Sequence, residues 1–216
     1  VADGNAGLQI IDVSNPQNPS LLGSYDIADY AYSVFVSNNI AYVADGNAGL
    51  QIIDVSNPQN PALLGSYDTP HYALSVTVSN NIAYVTYNYA GLLIIDVSNP
   101  QNPALLVSYD LSGFAIFVTI SNNIAYVAAW EAGLQIIDVS NSQNPSLLGS
   151  YNTPGEASSV FVSNNIAYVA DGNSGLQIID VSNPSAPILL NTILPHPSCN
   201  INKCIISNNL LIISDY

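Results

Sequence analysis

The sequence predicts an all-β protein and, within that class, a β-propeller of five four-stranded blades. Three observations predict it. A unit of about 42 residues recurs five times, each unit divides into four short strand-like segments, and the middle segments are apolar at nearly every position. Strands that are apolar on both faces must be covered on both faces, and a closed ring of stacked sheets provides that cover.

The repeat is clearest in the string Ile-Ile-Asp-Val-Ser-Asn, which recurs every 42 residues. Its copies start at Ile10, Ile52, Ile94, Ile136 and Ile178. A second string, Ser-Asn-Asn, has a last interval of 44 residues, which places a two-residue insertion near Pro195-His196-Pro197. We therefore expect one domain over 1–216, with units 1–42, 43–84, 85–126, 127–168 and 169–212, and with 213–216 completing strand b of the closing blade.

Turn residues divide each unit into four strands, which we name a to d. In one unit the predicted strands are Leu74 to Ser79, Ile82 to Thr86, Leu92 to Ser98 and Ala104 to Asp110. Between strands a and b stand two asparagines, which tolerate the positive φ of a type I′ turn. Between c and d stands Asn-Pro-Gln-Asn-Pro, whose prolines stop both strands.

The two ends of the sequence fall at the same point of the repeat. The chain starts late in strand b, at Val1-Ala2-Asp3, and finishes there too, at Ile213-Ser214-Asp215. We therefore expect the N-terminal c and d strands to share one blade with the C-terminal a and b strands and so close the ring. Five blades is the expectation for a complete chain, and an excerpt would allow a larger parent ring. The start without methionine predicts either a removed signal peptide or such an excerpt.

Composition excludes several classes of partner. Fifteen acidic residues face a single basic one, Lys203, and the net charge is -14. Binding to nucleic acid or to an anionic membrane surface needs clustered Lys and Arg, so neither is expected. The prevalence of Asn, Ser, Tyr and Asp predicts an extracellular or cell-surface protein. Cys199 and Cys204 form either a short disulfide loop or two small apolar core residues.

The residues of strand c carry a family resemblance. Leu8-Gln9-Ile10-Ile11-Asp12-Val13-Ser14, followed by Asn15-Pro16, resembles the LVIVD repeat of bacterial and archaeal propeller proteins, many of them secreted or on the cell surface. The resemblance covers all five units and implies the propeller fold. It implies no catalytic residue, since the family has no agreed set to carry over.

Comparison of the five units places their differences on one face. The a–b and c–d turns are nearly constant, whereas the b–c and d–a loops vary and gain aromatic residues. Aromatic side chains give a large contact area, and loops on a rigid scaffold commonly carry function. Free drift of loops without strict backbone needs is the alternative. The candidate ligand-binding residues are Trp130, Tyr87, Tyr89, Glu131, Tyr72, His71, Tyr30, Phe114 and Glu156.

Within that set the sequence ranks Tyr87, Tyr89 and Trp130 first. Tyr30, Tyr72 and Phe114 share one repeat position beside strand a, so part of that row is open to a second interpretation, filling of a central channel.

Acidic residues allow three further hypotheses. The aspartates that end strand c, one per unit, are expected to cap the following turn through backbone N–H groups. Asp3, Asp45 and Asp171 lie in Asp-Gly-Asn turns that offer a weak calcium site as the alternative to a plain hairpin turn. Glu131, Glu156 and Asp29 are the unrepeated acids of the variable face, and a glycosidase would need such a pair near a central channel.

The leading functional prediction is a non-enzymatic extracellular module without a required cofactor, which binds a glycan or a protein partner through the variable aromatic face. The alternative is a structural spacer or a subunit of a surface or filament assembly, with no small ligand. A glycoside hydrolase is the remote third hypothesis.

Overall fold

The structure is a computed structural model that describes residues 1–88, 91–194, 196, 199–207 and 210–215. Over these residues the secondary structure consists of twenty β-strands, without helices. No helix in this part of the chain could therefore cross a membrane. The chain divides into two compact units, one of Val1–Asn88 and Leu93–Leu106, the other of Tyr89–Leu92 and Val107–Tyr216.

The strands form four four-stranded antiparallel sheets and two strand pairs, each in sequence order. The first pair is β1 (Leu8–Asp12) and β2 (Ser20–Tyr25). The four-stranded sheets are β3–β6 (Ala31–Ser37, Ile40–Asp45, Leu50–Asp54, Ala62–Tyr67), β7–β10 (Ala73–Ser79, Ile82–Tyr87, Gly91–Asp96, Ala104–Tyr109), β11–β14 (Phe117–Ser121, Ile124–Ala128, Leu134–Asp138, Ser146–Tyr151) and β15–β18 (Ser159–Ser163, Ile166–Ala170, Leu176–Asp180, Ile188–Ile193). The last pair is β19 (Ile201–Ser207) and β20 (Leu210–Asp215).

The predicted strands a to d are confirmed in all four sheets. Strand c ends earlier than expected, at Asp96, because the aspartate side chain already closes the turn that follows. Its Oδ1 accepts the N–H of Ser98 at 2.8 Å, and the aspartates at the same position of the other units make the same bond. These bonds confirm the predicted capping role and hold the pKa of each of the five carboxyl groups below its usual value.

The paired asparagines between strands a and b have the backbone that a type I′ turn requires. Asn38 and Asn39 have φ of 51° and 61°, and the next three pairs repeat these values within a few degrees. The fifth pair lies outside the described residues. The proline-flanked loop between c and d is followed by a register shift, since Ile52 pairs with Gly65 and Ile53 with Leu63. This β-bulge recurs between Ile10 and Ile11, Ile136 and Ile137, and Ile178 and Ile179.

The described hydrophobic clusters each lie between neighbouring sheets within one of the two compact units. In the first compact unit, which contains Val1–Asn88, Leu8 and Ile10 of β1 pack with Ala41, Val43 and Ile53 of the β3–β6 sheet.

Two such hydrophobic clusters lie in the second compact unit. One joins the β11–β14 and β15–β18 sheets around Ile136, Val160 and Ile179. The other joins the β15–β18 sheet to β19 and β20 around Leu176, Ile201 and Cys204. In the β15–β18 sheet these clusters cover both faces, as the continuous apolar sequence of its strands b and c requires.

Both cysteines are free and buried. The Cys204 thiol donates to the carbonyl oxygen of Tyr168 at 3.1 Å, and burial raises the pKa of this thiol to about 11. Of the two sequence-based alternatives, the structure therefore has the pair of reduced core residues. The predicted insertion lies at His196, whose flanking prolines are outside the described residues.

Candidate functional site

In four of the repeats, backbone pairing brings the b–c turn next to the start of strand a of the following repeat. Gly46 exchanges N–H···O bonds with Ala73, and Gly4 does so with Ala31. The turn itself is closed by the N–H of Ala48, which donates to the carbonyl of Asp45 at 2.7 Å. The variable b–c and d–a loops are therefore neighbours on one edge of the sheets, as the comparison of repeats predicted.

Two buried aspartates of the Asp-Gly-Asn turns fix these loops. Asp45 is fully buried, and its carboxylate accepts the N–H groups of Ala28 and Asp29, both at 3.1 Å. Burial outweighs these bonds and raises the pKa of Asp45.

The second of these aspartates, Asp171, makes the same kind of tie. It accepts the Thr153 hydroxyl at 2.6 Å and the Gly155 N–H at 3.0 Å, and burial raises its pKa as well. Both carboxylates are thus occupied by N–H and O–H donors of the preceding d–a loop. Over the described residues there is no group of three His, Cys, Asp or Glu side chains placed to hold a metal ion.

Three exposed tyrosines lie close together in the first unit, and we call them the tyrosine cluster: Tyr30, Tyr32 and Tyr72. Each has 41% of its surface exposed. The rings of Tyr30 and Tyr32 are 4.9 Å apart between centroids and tilted by 46°. Partial burial raises the pKa of Tyr32, and the neighbouring Tyr72, Asp29 and Tyr30 raise it further. The cluster is a local patch of aromatic surface that carries three phenol hydroxyl groups.

Glycines at the b–c turns leave room for these rings. The Tyr30 ring lies over Gly4, where a Cβ atom would stand 2.6 Å from the Tyr30 Cζ. Tyr32 lies beside Gly46, where a Cβ atom would be 3.5 Å from the ring. Both glycines also have positive φ, of 50° and 45°. The same two residues therefore allow the backbone conformation of the turn and leave space for the rings.

A fixed carboxylate borders the tyrosine cluster. Asp29 is half-buried, and its Oδ2 accepts the N–H of Asn47 at 2.7 Å. The same oxygen lies close to Gly46. Since Asp29 also donates its own N–H to Asp45, its position is set from two sides. A hydrogen-bond acceptor is therefore held beside the aromatic surface.

The residues ranked first from the sequence are in different surroundings. Tyr87 has only 3% of its surface exposed and stacks on the exposed His71, with centroids 6.5 Å apart and planes 11° from parallel. Little of the Tyr87 ring is left for a ligand. Tyr89 lies outside the described residues.

The candidate residues of the second compact unit lie on the variable loops, but no contact described joins them into one cluster. Trp130 is half-buried and takes the place of the turn glycine, with a φ of 49° and backbone bonds to Ala157 of 3.0 and 3.1 Å. Glu131 and Glu156 are exposed and Phe114 is half-buried. Glu156 acts on Asp171, whose pKa it helps to raise.

The sequence family model describes the same repeat. The LVIVD repeat matches the chain five times, at residues 1–27, 28–69, 70–111, 112–153 and 154–194. The chain belongs to the LVIVD repeat family. The model starts each full unit in the d–a loop, before strand a, so the period agrees with the sequence analysis although the starting point of the unit differs. A comparison with curated proteins found no match.

Solved structures similar to this LVIVD repeat chain share its fold at low identity. The computationally designed Ika8 protein is 14% identical with a TM-score of 0.72, over 91% of this chain and 59% of that one. The designed Ika4 protein is 15% identical with a TM-score of 0.54, over 65% of this chain and 83% of that one. A functionally unknown protein from Desulfotomaculum acetoxidans DSM 771 is 12% identical with a TM-score of 0.65, over 83% and 61%. The LVIVD repeat chain thus spans about three fifths of two of these proteins.

The sequence pointed to this face and included Tyr30 and Tyr72 among its candidates, but it ranked the buried Tyr87 above them and left Tyr32 out. In Asp29-Tyr30-Ala31-Tyr32 the two tyrosines are two positions apart, and residues so spaced lie on one side of an extended strand. That spacing is the signal for the Tyr30–Tyr32 pair. Nothing in the sequence shows that Tyr87 is buried, because its repeat position is an aspartate in three other units of the LVIVD repeat chain.

Proposed function

We propose that this LVIVD repeat chain is a non-enzymatic, extracellular interaction module that binds a glycan or a protein partner through its variable face, with the tyrosine cluster as the main contact. The observation that carries the proposal is the exposure of Tyr30, Tyr32 and Tyr72 at 41% each. The loop before Tyr30 is held by N–H bonds to the buried Asp45, and the Tyr72 carbonyl accepts the N–H of Asn88 at 3.0 Å. Rigid aromatic side chains in such a setting lose little conformational entropy on binding.

The chemistry of the cluster favours a neutral, hydroxyl-rich or amide-rich ligand. The rings provide apolar faces, the hydroxyl groups both donate and accept, and the Asp29 carboxylate accepts. A sugar ring offers the matching C–H face and hydroxyl groups. The net charge of -14 opposes anionic ligands, including nucleic acid and anionic membranes.

The fold in its finer form belongs to the same proposal. We propose that the five repeats are blades of a propeller, in which β19 and β20 supply strands a and b of a blade and β1 and β2 supply strands c and d. The strand counts support it: every other repeat has four strands in one sheet, and each of the two pairs supplies two strands.

The test is a glycan-array screen of the wild-type protein, with and without Ca²⁺, beside a variant with Tyr30→Ala, Tyr32→Ala and Tyr72→Ala. Wild type is expected to bind, and binding should weaken about tenfold for each ring removed, equal to about 1.4 kcal/mol. A matched variant with the three tyrosines changed to Phe keeps the rings and measures the hydroxyl contribution. Leu63→Ala, at another exposed site, is the control.

Three other results of the screen would change the proposal. Binding that survives in the alanine variant contradicts the tyrosine cluster as the site. A blank array for wild type removes the glycan and leaves a protein partner or assembly. A calcium requirement assigns Ca²⁺ to the exposed turn of Asp3, because Asp45 and Asp171 are buried and occupied.

The structural or assembly role is favoured by a different observation, namely uncovered apolar surface. Val13, Val36, Leu210 and Ile212 are each more than half exposed. Leu147, Ile188 and Leu190 on two other sheets are exposed to a similar extent, so the exposed apolar surface is spread over several sheets.

A further inference from the structure

We infer that a polar pocket between the β3–β6 and β7–β10 sheets binds one neutral sugar residue, and that a pocket with the same lining lies two repeats further along the chain. Both pockets lie where the constant a–b and c–d turns meet, at the other end of the strands from the variable loops. The inference goes beyond the proposed function, because it gives the constant face a binding role that does not depend on the tyrosine cluster.

The pocket lies wholly within the first compact unit and has a volume of about 280 Å³. Ligand pockets begin at about 300 Å³, so the size suits a ligand of one ring. The β3–β6 sheet contributes Asn38 and Tyr42 to the lining, and the β7–β10 sheet with the start of its c–d loop contributes Asn80, Asn81 and Ser98. Two neighbouring repeats therefore build one site.

A buried tyrosine of this pocket has a hydroxyl group without a partner. Tyr42 lines the pocket and is 6% exposed. None of the described residues makes a hydrogen bond to its hydroxyl, and burial alone raises its pKa. Since no buried side-chain N or O atom in the described part of the chain lacks a partner, this hydroxyl is open to solvent at the pocket. A ligand in the pocket would supply the missing hydrogen bond.

Asparagine amides surround the mouth of the pocket. Asn38, Asn80 and Asn81 are exposed, and their side chains make no hydrogen bond to the described residues. Asn81 is the second residue of its turn, with a φ of 60°, where glycine is usual and less strained. All five units have asparagine at this position, so the backbone does not account for the choice. Each amide offers both a donor and an acceptor to a sugar hydroxyl or acetamido group.

The lining is uncharged and partly apolar, which fits a neutral sugar. None of its ten residues carries a charge, and Ile40, Val78 and Pro100 provide carbon surface. Carbon surface beside amides and hydroxyls matches the C–H face and the hydroxyl groups of a sugar ring. The net charge of -14 opposes an anion, and a hard cation would find no carboxylate in the lining.

Backbone hydrogen bonds fix the rim of the pocket. The N–H of Val97 donates to the carbonyl of Asn81 at 2.9 Å, and the N–H of Ser98 donates to Asp96 at 2.8 Å. The a–b turn and the start of the c–d loop are thus held together before a ligand arrives. Such preorganisation reduces the entropy that binding costs.

The same lining recurs in the second compact unit, between the β11–β14 and β15–β18 sheets. All ten residues are repeated 84 positions later, and each is buried, half-buried or exposed as its counterpart is. Tyr126, the counterpart of Tyr42, is 4% exposed and belongs to one cluster with Val162 and Val181. The carbonyl of Asn165 accepts the N–H of Val181 at 2.9 Å. The chain therefore has two sites for the same kind of sugar residue.

The test is a titration of ¹⁵N-labelled protein with N-acetylglucosamine and with glucose, followed by the amide signals. We expect saturable shifts. Asn81→Gly with Asn165→Gly removes one amide from each pocket and keeps the positive φ of the turn. Tyr42→Phe with Tyr126→Phe removes each hydroxyl. Each pair should weaken binding roughly fivefold, the effect of one lost neutral hydrogen bond. Asn39→Gly is the matched control, because Asn39 has the same turn position but does not line the pocket.

Absence of saturable binding by both sugars overturns the inference, and so does wild-type affinity in both pocket variants. Tighter binding of glucuronate than of glucose contradicts a neutral ligand. The disaccharide N,N′-diacetylchitobiose distinguishes two sources that both support the inference. An affinity equal to that of the monosaccharide indicates the end of a glycan, and a lower one indicates a free sugar.

The variant with Tyr30, Tyr32 and Tyr72 changed to alanine separates this inference from the proposed function. Sugar binding at the pockets should persist in this variant and weaken in the pocket variants. A sugar that shows the reverse pattern belongs to the tyrosine cluster and overturns the pocket as its site.

Discussion

Two kinds of aspartate give opposite responses to acid in this molecule. Asp54 and its four repeat equivalents accept a backbone N–H, which lowers the pKa of each carboxyl group. The ionised form therefore stabilises the fold above the unfolded pKa of about 3.9, and this contribution is lost as the pH falls through the lower folded value. Burial raises the pKa of Asp45 and Asp171, so their protonation relieves a cost as the pH falls.

A variant with asparagine at all five capping positions isolates the first kind of aspartate. Asparagine keeps an oxygen for the turn but does not titrate. We expect the melting temperature of wild type to fall more steeply than that of the variant between about pH 5 and pH 2. Asp45 and Asp171 are present in both proteins, so their effect cancels in the comparison. A melting temperature that falls equally with pH in the two proteins would contradict the stabilising role of the five ionised aspartates.

Trp130 is a residue at which backbone geometry and side-chain role can be separated. Its φ of 49° lies in the left-handed region, and three other units have glycine at this position. Trp130→Gly and Trp130→Ala both remove the ring, but only alanine keeps the steric cost of positive φ. We expect the glycine variant to be more stable by about 1 kcal/mol in denaturant unfolding. Equal stability of the two variants would mean that the turn relaxes.

At the scale of elements, a glycine in strand d sets the distance between neighbouring units. A Cβ atom on Gly65 would stand 2.4 Å from the carbonyl oxygen of Pro100, in the c–d loop of the next unit. Gly23 meets Pro58 and Gly149 meets Pro184 in the same way. The c–d loop of one unit thus packs on strand d of the unit before it, and this contact requires glycine for lack of space.

Gly65→Ala should therefore destabilise the protein by about 1–3 kcal/mol, because the loop backbone must move. Ser66→Ala, at the exposed neighbouring position, is the control and should stay within about 0.5 kcal/mol of wild type. Chemical denaturation of both variants measures the difference. A Gly65→Ala protein as stable as its control would show that the Pro100 loop yields at little cost.

The strands were largely predictable from the sequence because their signals are local. Asparagine pairs, Asp-Gly-Asn and proline-flanked loops each demand a particular backbone, so they delimit the strands to within one or two residues. The end of strand c was missed because Asp96 both belongs to the apolar string and closes the next turn. The bulge after Ile52 was also missed, since it depends on the pairing of two strands and leaves no mark on either one.

At the scale of the molecule, the exposure of side chains was the part that the sequence could not supply. Tyr72 lies on a variable loop and Tyr87 is the last residue of β8, beside the next variable loop, yet Tyr87 is 3% and Tyr72 41% exposed. Their burial depends on contacts that form only on folding, here the stacking of His71, in the loop before β7, on Tyr87 at the end of β8. The uncovered Val36 and Ile212 likewise look like any other apolar repeat position in the sequence.

The most direct test of the central claim is to measure the binding of an array-positive ligand to two variants in parallel. One has Tyr30, Tyr32 and Tyr72 changed to alanine, and the other is Trp130→Ala. If the tyrosine cluster is the site, the first loses binding while the second stays near wild type. Loss of binding in Trp130→Ala with full binding in the tyrosine variant would contradict the account and place the site on the second unit.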